Sequence, residues 1–188
     1  MNNKSILITG GTGSLGRALT NEIYKRYPLV AKVVIFSRDE QKHFQMKQDF
    51  SLNDFPNLEF KIGDVRDYDS VKTACKGIDY IIHAAAMKHV HLSEENPEEC
   101  IKTNIGGAQN VIKAAYNSEV KNIVALSTDK ACAPVNLYGA TKLTSDKLFI
   151  AANNNANTKI KFSVVRYGNV MSSNGSVIPF FLKEKMSG

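Results

Sequence analysis

Apolar residues in this chain fall in short runs, separated by stretches whose apolar positions follow a helical period. Ser5-Ile-Leu-Ile-Thr9, Lys32-Val-Val-Ile-Phe36, Leu58-Glu-Phe-Lys-Ile62, Asp79-Tyr-Ile-Ile-His-Ala-Ala-Ala86, Asn122-Ile-Val-Ala-Leu126 and Ile160 to Val165 are six such runs. Each has the length of a buried strand, and the fourth leads into a turn of small residues. Between them, Leu15, Leu19, Ile23 and Tyr24 mark a helix. His43 to Phe50 reads as a polar helix, Tyr68 to Lys76 as a short one, Pro97 to Ala115 as a long one, and Val135 to Ala152 as another. The asparagine run 153–157 is a loop. Strands and helices alternate strictly, and the strands are apolar on both faces. The predicted class is therefore α/β, a Rossmann-like doubly wound parallel sheet of order 3-2-1-4-5-6. After Val165 the pattern breaks into a polar loop through Ser176, and Val177 to Met186 reads as the start of a helix.

Composition changes this picture little. At 188 residues, 43% hydrophobic and 22% charged, the chain suits one globular domain. No apolar run approaches the ~18–20 residues that span a bilayer, and no secretory signal precedes the first strand, so membrane and secreted classes are set aside. Cys75, Cys100 and Cys132 are an odd, widely spaced set that reads as reduced cytoplasmic thiols, with no metal site. The net charge of +6 raises nucleic acid as a partner, but the Lys and Arg are scattered and form no basic run.

The candidate chemistry begins at the first strand–helix junction. Gly10-x-x-Gly13-x-x-Gly16, overlapped by Gly11-x-Gly13-x-x-Gly16, permits a tight turn and close approach of backbone to a pyrophosphate. Thr12, Ser14 and Leu15 complete that loop. The second strand ends in Ser37-Arg38-Asp39, where a guanidinium suits a ribose 2′-phosphate; this favours NADP over NAD. The competing reading pairs Arg38 with Asp39 or Glu40 at the surface. Asp64 and Val65 follow the third strand, placed to meet an adenine edge, with a helix cap as the plain alternative for Asp64. Ala84, Ala85 and Ala86 close the fourth strand.

A second cluster follows the fifth strand: Thr128, Asp129 and Lys130, then Tyr138 and Lys142. The last two lie four apart, on one helix face. A nearby ammonium favours phenolate, which makes Tyr138 an acid/base for a sugar hydroxyl, and Thr128 offers a hydroxyl to the same oxygen. Asp129 and Lys130 are either an acid and a base or a surface ion pair. Asn104 either holds backbone or water beneath the catalytic lysine or bonds within its own helix. Lys88, His89 and Glu94 follow the fourth strand near the expected substrate, and Arg166, Tyr167 and Asn169 are candidate substrate contacts after the sixth. His83 reads as sheet packing, and two histidines at 89 and 91 without a third ligand make no metal site. Cys132 has no neighbour in sequence that marks it as a nucleophile.

Thr-Gly-Gly-Thr-Gly-Ser-x-Gly, Gly-Asp-Val-Arg-Asp, His-Ala-Ala-Ala-x-Lys-His-Val and Tyr-Gly-Ala-Thr-Lys resemble the extended short-chain dehydrogenase/reductases. More narrowly, Ser127-Thr-Asp-Lys-Ala131 and Tyr138-Gly-Ala-Thr-Lys-Leu-x-Ser-Asp-Lys147 resemble the configuration-inverting UDP-N-acetylglucosamine 4,6-dehydratases, which begin pseudaminic acid biosynthesis for flagellin glycosylation. That resemblance implies oxidation at sugar carbon 4 by Tyr138 and Lys142 with NADP, loss of the carbon-5 proton to Lys130, and protonation of the departing carbon-6 hydroxyl by Asp129. It also implies contacts of Asn104, Tyr138 and Lys142 with the cofactor site, a UDP-sugar substrate, a cytoplasmic location and a homo-oligomer. Members of that group run to roughly 330 residues, the size of two typical domains. Residues 1–166 are then expected to form the NADP-binding domain with the catalytic residues, and 167–188 the start of an incomplete substrate-binding region. Two departures stand out: His91 where the group often has proline, and Asn174 where it often has an arginine. A nucleotide-sugar 4-epimerase on the same fold and a catalytically silent dinucleotide-binding module remain as alternatives.

Overall fold

The computed structural model describes residues 1–170. Six strands form one sheet: β1 (Ser5–Thr9), β2 (Lys32–Ser37), β3 (Leu58–Ile62), β4 (Tyr80–His83), β5 (Asn122–Leu126) and β6 (Lys161–Val165). All neighbours pair in parallel, in the order β3-β2-β1-β4-β5-β6. The doubly wound sheet expected from the alternation is therefore the one observed. The helices are α1 (Ser14–Arg26), α2 (Glu40–Asp49), α3 (Tyr68–Ala74), α4 (Val90–Glu95), α5 (Pro97–Ile101), α6 (Gly107–Tyr116) and α7 (Leu137–Ala152).

Alternation along the central strands sends side chains to two separate cores. Ile6, Ile8, Val33, Ile35 and Leu58 face Ile23 of α1 and Met46 of α2. Leu7, Val34, Phe36, Ile81, Ile123 and Phe162 face α3, α6 and α7 through Val71, Val111, Ala115 and Phe149. Among the described residues, the first layer covers only the β1–β3 half. Over β4–β6 the same face opens into an apolar hollow of about 690 Å³, lined by Leu15, Leu19, Ile82, Val124, Val165 and Val170 among others. Residues 171–188, including the helix expected from Val177 and the Asn174 departure, lie outside the described residues. Among the described residues, no helix is long and apolar enough to cross a membrane.

Capping explains most shifted boundaries. α2 starts earlier than its apolar pattern because the Asp39 carboxylate accepts the Lys42 N–H at 3.0 Å. α7 starts after Val135 because the Asn136 side chain accepts the Gly139 N–H at 2.8 Å. The helix expected over Pro97–Ala115 is continuous, but a π-helical turn at Lys102–Gly106 joins α5 to α6. Such turns cluster at functional positions, and this one carries Asn104. α4 was not apparent from periodicity. It forms without the proline that His91 replaces, because the His89 carbonyl accepts both the Ser93 N–H and its hydroxyl, each at 2.9 Å.

Phe149 is fully buried where α7 meets the sheet, its ring centroid 5.6 Å from His83 and 6.4 Å from Phe162. Phe149→Ala is expected to cost about 3–5 kcal/mol. Urea unfolding should show this as a lower midpoint at unchanged slope.

Candidate active site

The turn from β1 to α1 builds a cradle. A Cβ on Gly16 would lie 2.2 Å from the Gly11 carbonyl oxygen, so the helix folds back onto the loop only with glycine there. Gly13 caps α1 without a side chain, and the first turn holds no acidic residue. Asp39, Asp67 and Asn136, in contrast, cap α2, α3 and α7 with their own oxygens. The positive end of α1 is thus left for an external anion. β4 supplies the opposite wall: the Ala84 N–H donates to the Thr9 carbonyl at 3.1 Å and the Ala85 N–H to Thr9 Oγ1 at 3.3 Å. Leu15 lines the apolar hollow, so its backbone alone belongs to the cradle. A glycine-lined turn, an uncapped helix and a wall of alanines fit a dinucleotide.

Just beyond β2, the Arg38 side chain is 61% exposed and lies 3.7 Å from the Asp64 carboxylate. The pairing with Asp39 considered from sequence gives way to this one, because Asp39 caps α2 and pairs with Lys42 at 3.1 Å. Asp64 is not the helix cap either; Asp67 fills that role for α3. Asp64 accepts instead from the Arg66 backbone and guanidinium at 2.6–2.9 Å. Burial pushes the Asp64 carboxyl up, but Arg66 and Arg38 together hold it below its ordinary value. Val65 is buried in the core. Beside Thr12 a polar cavity of about 530 Å³ is lined by Ser14, Arg17, Lys42 and Gln45 among others. Arg17 and Lys42 had no motif to mark them. α1 and α2 bring them together only in the folded sheet, although Lys42 stands one turn beyond the Asp39 cap.

The second cluster sits where β5 ends. A 3₁₀ turn, Asp129–Ala131, follows Thr128, whose hydroxyl caps it by accepting the Lys130 N–H at 3.3 Å. Thr128 Oγ1 also donates to Asp129 Oδ1 at 2.9 Å. A Cβ on Gly139 would lie 2.2 Å from the Lys130 carbonyl oxygen, so only glycine lets α7 begin against this turn. That contact sets Tyr138 beside Thr128. Burial raises the Tyr138 pKa, and a hydrogen bond with Thr128 opposes it. The lowering expected from a nearby ammonium is not what the fold produces, because the phenol is half-buried and desolvation dominates. Lys142, one turn on, is buried, and burial draws its pKa down to about 8 against the pull of Asp146.

Lys130 Nζ donates to Asp129 Oδ1 at 3.2 Å and to Asn169 Oδ1 at 3.1 Å. The Asp129 side chain is 55% exposed and that of Lys130 36%. Hydrogen bonds from Thr128 and Lys130 hold the Asp129 carboxyl below its ordinary value. Asp129 and Lys130 are therefore an exposed ion pair and also neighbours of Tyr138 through Thr128.

Asn104 is buried and braces the site from behind. Its amide accepts the Met87 N–H at 2.8 Å and donates to the Met87 carbonyl and Thr141 Oγ1, both at 3.0 Å. It thus ties the loop after β4 to α7, reaching well beyond its own helix. Glu94 takes up a comparable task, accepting the Leu137 N–H at 2.8 Å at the start of α7. Lys88 follows the alanine wall. Arg166 donates to Asp146 at 2.8 Å and to Cys132 Sγ at 3.1 Å, so α7 engages its guanidinium. The Tyr167 carbonyl accepts the Asp129 N–H at 3.0 Å, and burial raises the Tyr167 pKa. His83 is buried against Thr9 Oγ1 at 2.8 Å. Among the described residues, no three His, Cys, Asp or Glu side chains are grouped to hold a metal.

The chain is 58% identical, over 97% of its own length and 54% of the relative's, to the inverting UDP-N-acetylglucosamine 4,6-dehydratase of Campylobacter jejuni subsp. jejuni serotype O:23/36 (strain 81-176). It is 48% identical to the UDP-glucose 4-epimerase of Rickettsia bellii (strain RML369-C), over 96% of this chain and 53% of that one. The X-ray structure of Pen from Bacillus thuringiensis superposes with a TM-score of 0.92 at 43% identity, over 97% of this chain and 55% of that one. The chain therefore spans about half the length of the curated relatives it matches. A model of the polysaccharide biosynthesis protein family matches residues 6–188, so the cradle, the Thr128–Lys142 cluster and the sheet that holds them belong to a member of that family.

Proposed function

We propose that this chain is the cofactor-binding and catalytic part of an NADP-dependent UDP-N-acetylglucosamine 4,6-dehydratase that inverts carbon 5. Residues 1–166 form its cofactor domain and 167–188 begin its substrate region. The observation that carries this reading is the juxtaposition of Thr128, Asp129 and Lys130, on one turn, with Tyr138 and the buried Lys142. The cradle and Arg38 hold NADP, with Lys42 adding charge at the ribose end. When bound, NADP supplies reversible hydride uptake.

The residues divide the proton work. Tyr138, hydrogen-bonded to Thr128, takes the proton of the carbon-4 hydroxyl as its phenolate, the form that the positive nicotinamide of bound NADP would favour against the burial that raises its pKa. Lys142, with its pKa near 8, exchanges protons close to neutral pH and supports that transfer. Carbon 5 becomes acidic next to the resulting ketone. Lys130 removes its proton and Asp129 protonates the departing carbon-6 hydroxyl. For that, one proton must pass from Lys130 Nζ to Asp129 Oδ1, which lie 3.2 Å apart. A sugar laid over the pair excludes water, and burial favours the neutral acid and amine over the ion pair. The same reading extends to a product for pseudaminic acid and surface glycans, to copies assembling as homo-oligomers, and to a cytoplasmic setting, which the free thiols of Cys75, Cys100 and Cys132 suit.

Incubation with NADP and UDP-N-acetylglucosamine, followed by NMR, should show a 4-keto-6-deoxy sugar. A galacto epimer would point to the epimerase, and NADP binding without turnover to a silent module. Asp129→Asn and Lys130→Met should each lower turnover by ~10²-fold or more while leaving NADP affinity within about twofold.

The Lys142 site also predicts a pH effect on stability. Its folded pKa of about 8 lies below the ordinary 10.5, so the unfolded chain holds that proton more tightly. Stability should rise as pH climbs from about 8 toward 10.5. Lys142→Met should remove that rise and stabilise the fold at pH 7 by about 1–3 kcal/mol, read from urea midpoints across pH.

A further inference from the structure

A second buried polar chain lies at the far end of the cradle. His43 of α2 is buried, its ring edge-on to Phe60 with centroids 5.8 Å apart. Its Nε2 lies 3.0 Å from the Ser37 carbonyl oxygen and 3.0 Å from Ser37 Oγ. Ser37 Oγ in turn lies 2.9 Å from Thr12 Oγ1, and Thr12 lines the polar cavity that also holds Lys42 and Arg17. His43 Nδ1 is buried with no hydrogen-bond partner.

These contacts select one tautomer. A carbonyl oxygen only accepts, so Nε2 carries the hydrogen. The other tautomer would set a lone pair against the carbonyl and bury an unpaired N–H at Nδ1. Burial lowers the His43 pKa, against the pull of the Ser37 carbonyl, so the ring stays neutral with one proton to give. Nε2–H is donated to Ser37, shared between its carbonyl and hydroxyl oxygens, so the Ser37 hydroxyl cannot spend its own hydrogen on the ring. The hydrogen bond between Ser37 and Thr12 consumes one of their two hydroxyl protons, whichever donates. The other points out of the pair as a donor, and phosphate oxygens reward donors more than a neutral hydroxyl does.

We propose that His43 is a positioning residue that holds the Ser37–Thr12 pair as an outward hydrogen-bond donor to a phosphate at the ribose end of the cofactor. The proposal rests on the reading that this end of NADP lies at Ser37 and Arg38. His43 itself touches no ligand; its effect passes through Ser37.

Isothermal titration of the 188-residue chain with NADP and with NAD tests it. The wild-type chain should prefer NADP. His43→Leu should weaken NADP binding about 5–10-fold, part of the worth of one charge-assisted hydrogen bond because the hydroxyl pair itself remains, and NAD binding less than about twofold. His43→Gln, whose amide N–H can donate to Ser37, should recover most of the NADP affinity. Ser37→Ala should lose the same preference with His43 intact, which covers the case in which His43→Leu does not fold. A wild-type chain without preference for NADP overturns the cofactor reading and this proposal with it. A wild-type preference that survives His43→Leu or Ser37→Ala, or a His43→Leu loss equal for both nucleotides, overturns this proposal alone.

Discussion

No side chain fits between residue 139 and the carbonyl of Lys130, where a Cβ would stand 2.2 Å from the oxygen. That backbone contact decides where α7 begins, and the site is spaced from it by helix pitch. Tyr138 is carried against Thr128. Lys142 falls one turn deeper into the seam with the sheet, and Asp146, a turn further, meets Arg166 at 2.8 Å. Asn136 and Glu94 secure the same turn through the Gly139 and Leu137 N–H groups. Asn104 then fixes the loop after β4 to Thr141 on that helix, which joins the alanine turn to α7.

The charges of the site are sorted by depth. Lys142 is inside, where desolvation moves its proton toward neutral pH and the fold bears the cost. Asp129 and Lys130 are outside, where an ion pair contributes little to stability and costs little to rearrange. At the cofactor end the same economy appears in the helix termini. α1 is left without a side-chain cap, while α2, α3 and α7 satisfy their own first turns.

Much of the fold was legible because its signals are local. The central runs and the helical stretches between them suffice for a parallel sheet, since a strand buried on both faces cannot alternate with polar residues, and alternation is confined to the edge strands β3 and β6. The Gly-rich turn, Tyr138 with Lys142, and the Asp129–Lys130 pair were visible as spacings. Boundaries were less legible where caps set them, as at Asp39 and Asn136. The π turn around Asn104 and the short α4 leave no distinct period. Arg38 shows the limit most plainly: its neighbours in sequence offered Asp39, but α2 had already taken that carboxylate.

The sequence by itself determined the α/β class, the strand order that follows from crossover rules, and which residue types stand at each strand end. It could do so because periodicity and short motifs are properties of neighbours in the chain. The tertiary structure alone decided the protonation tendencies and partners. Burial turned Tyr138 upward and Lys142 downward, Thr128 became the link between Tyr138 and Asp129, and His43 met Ser37 and Thr12 across two strand ends. Those effects depend on distance and desolvation, which arise only once separate elements pack together.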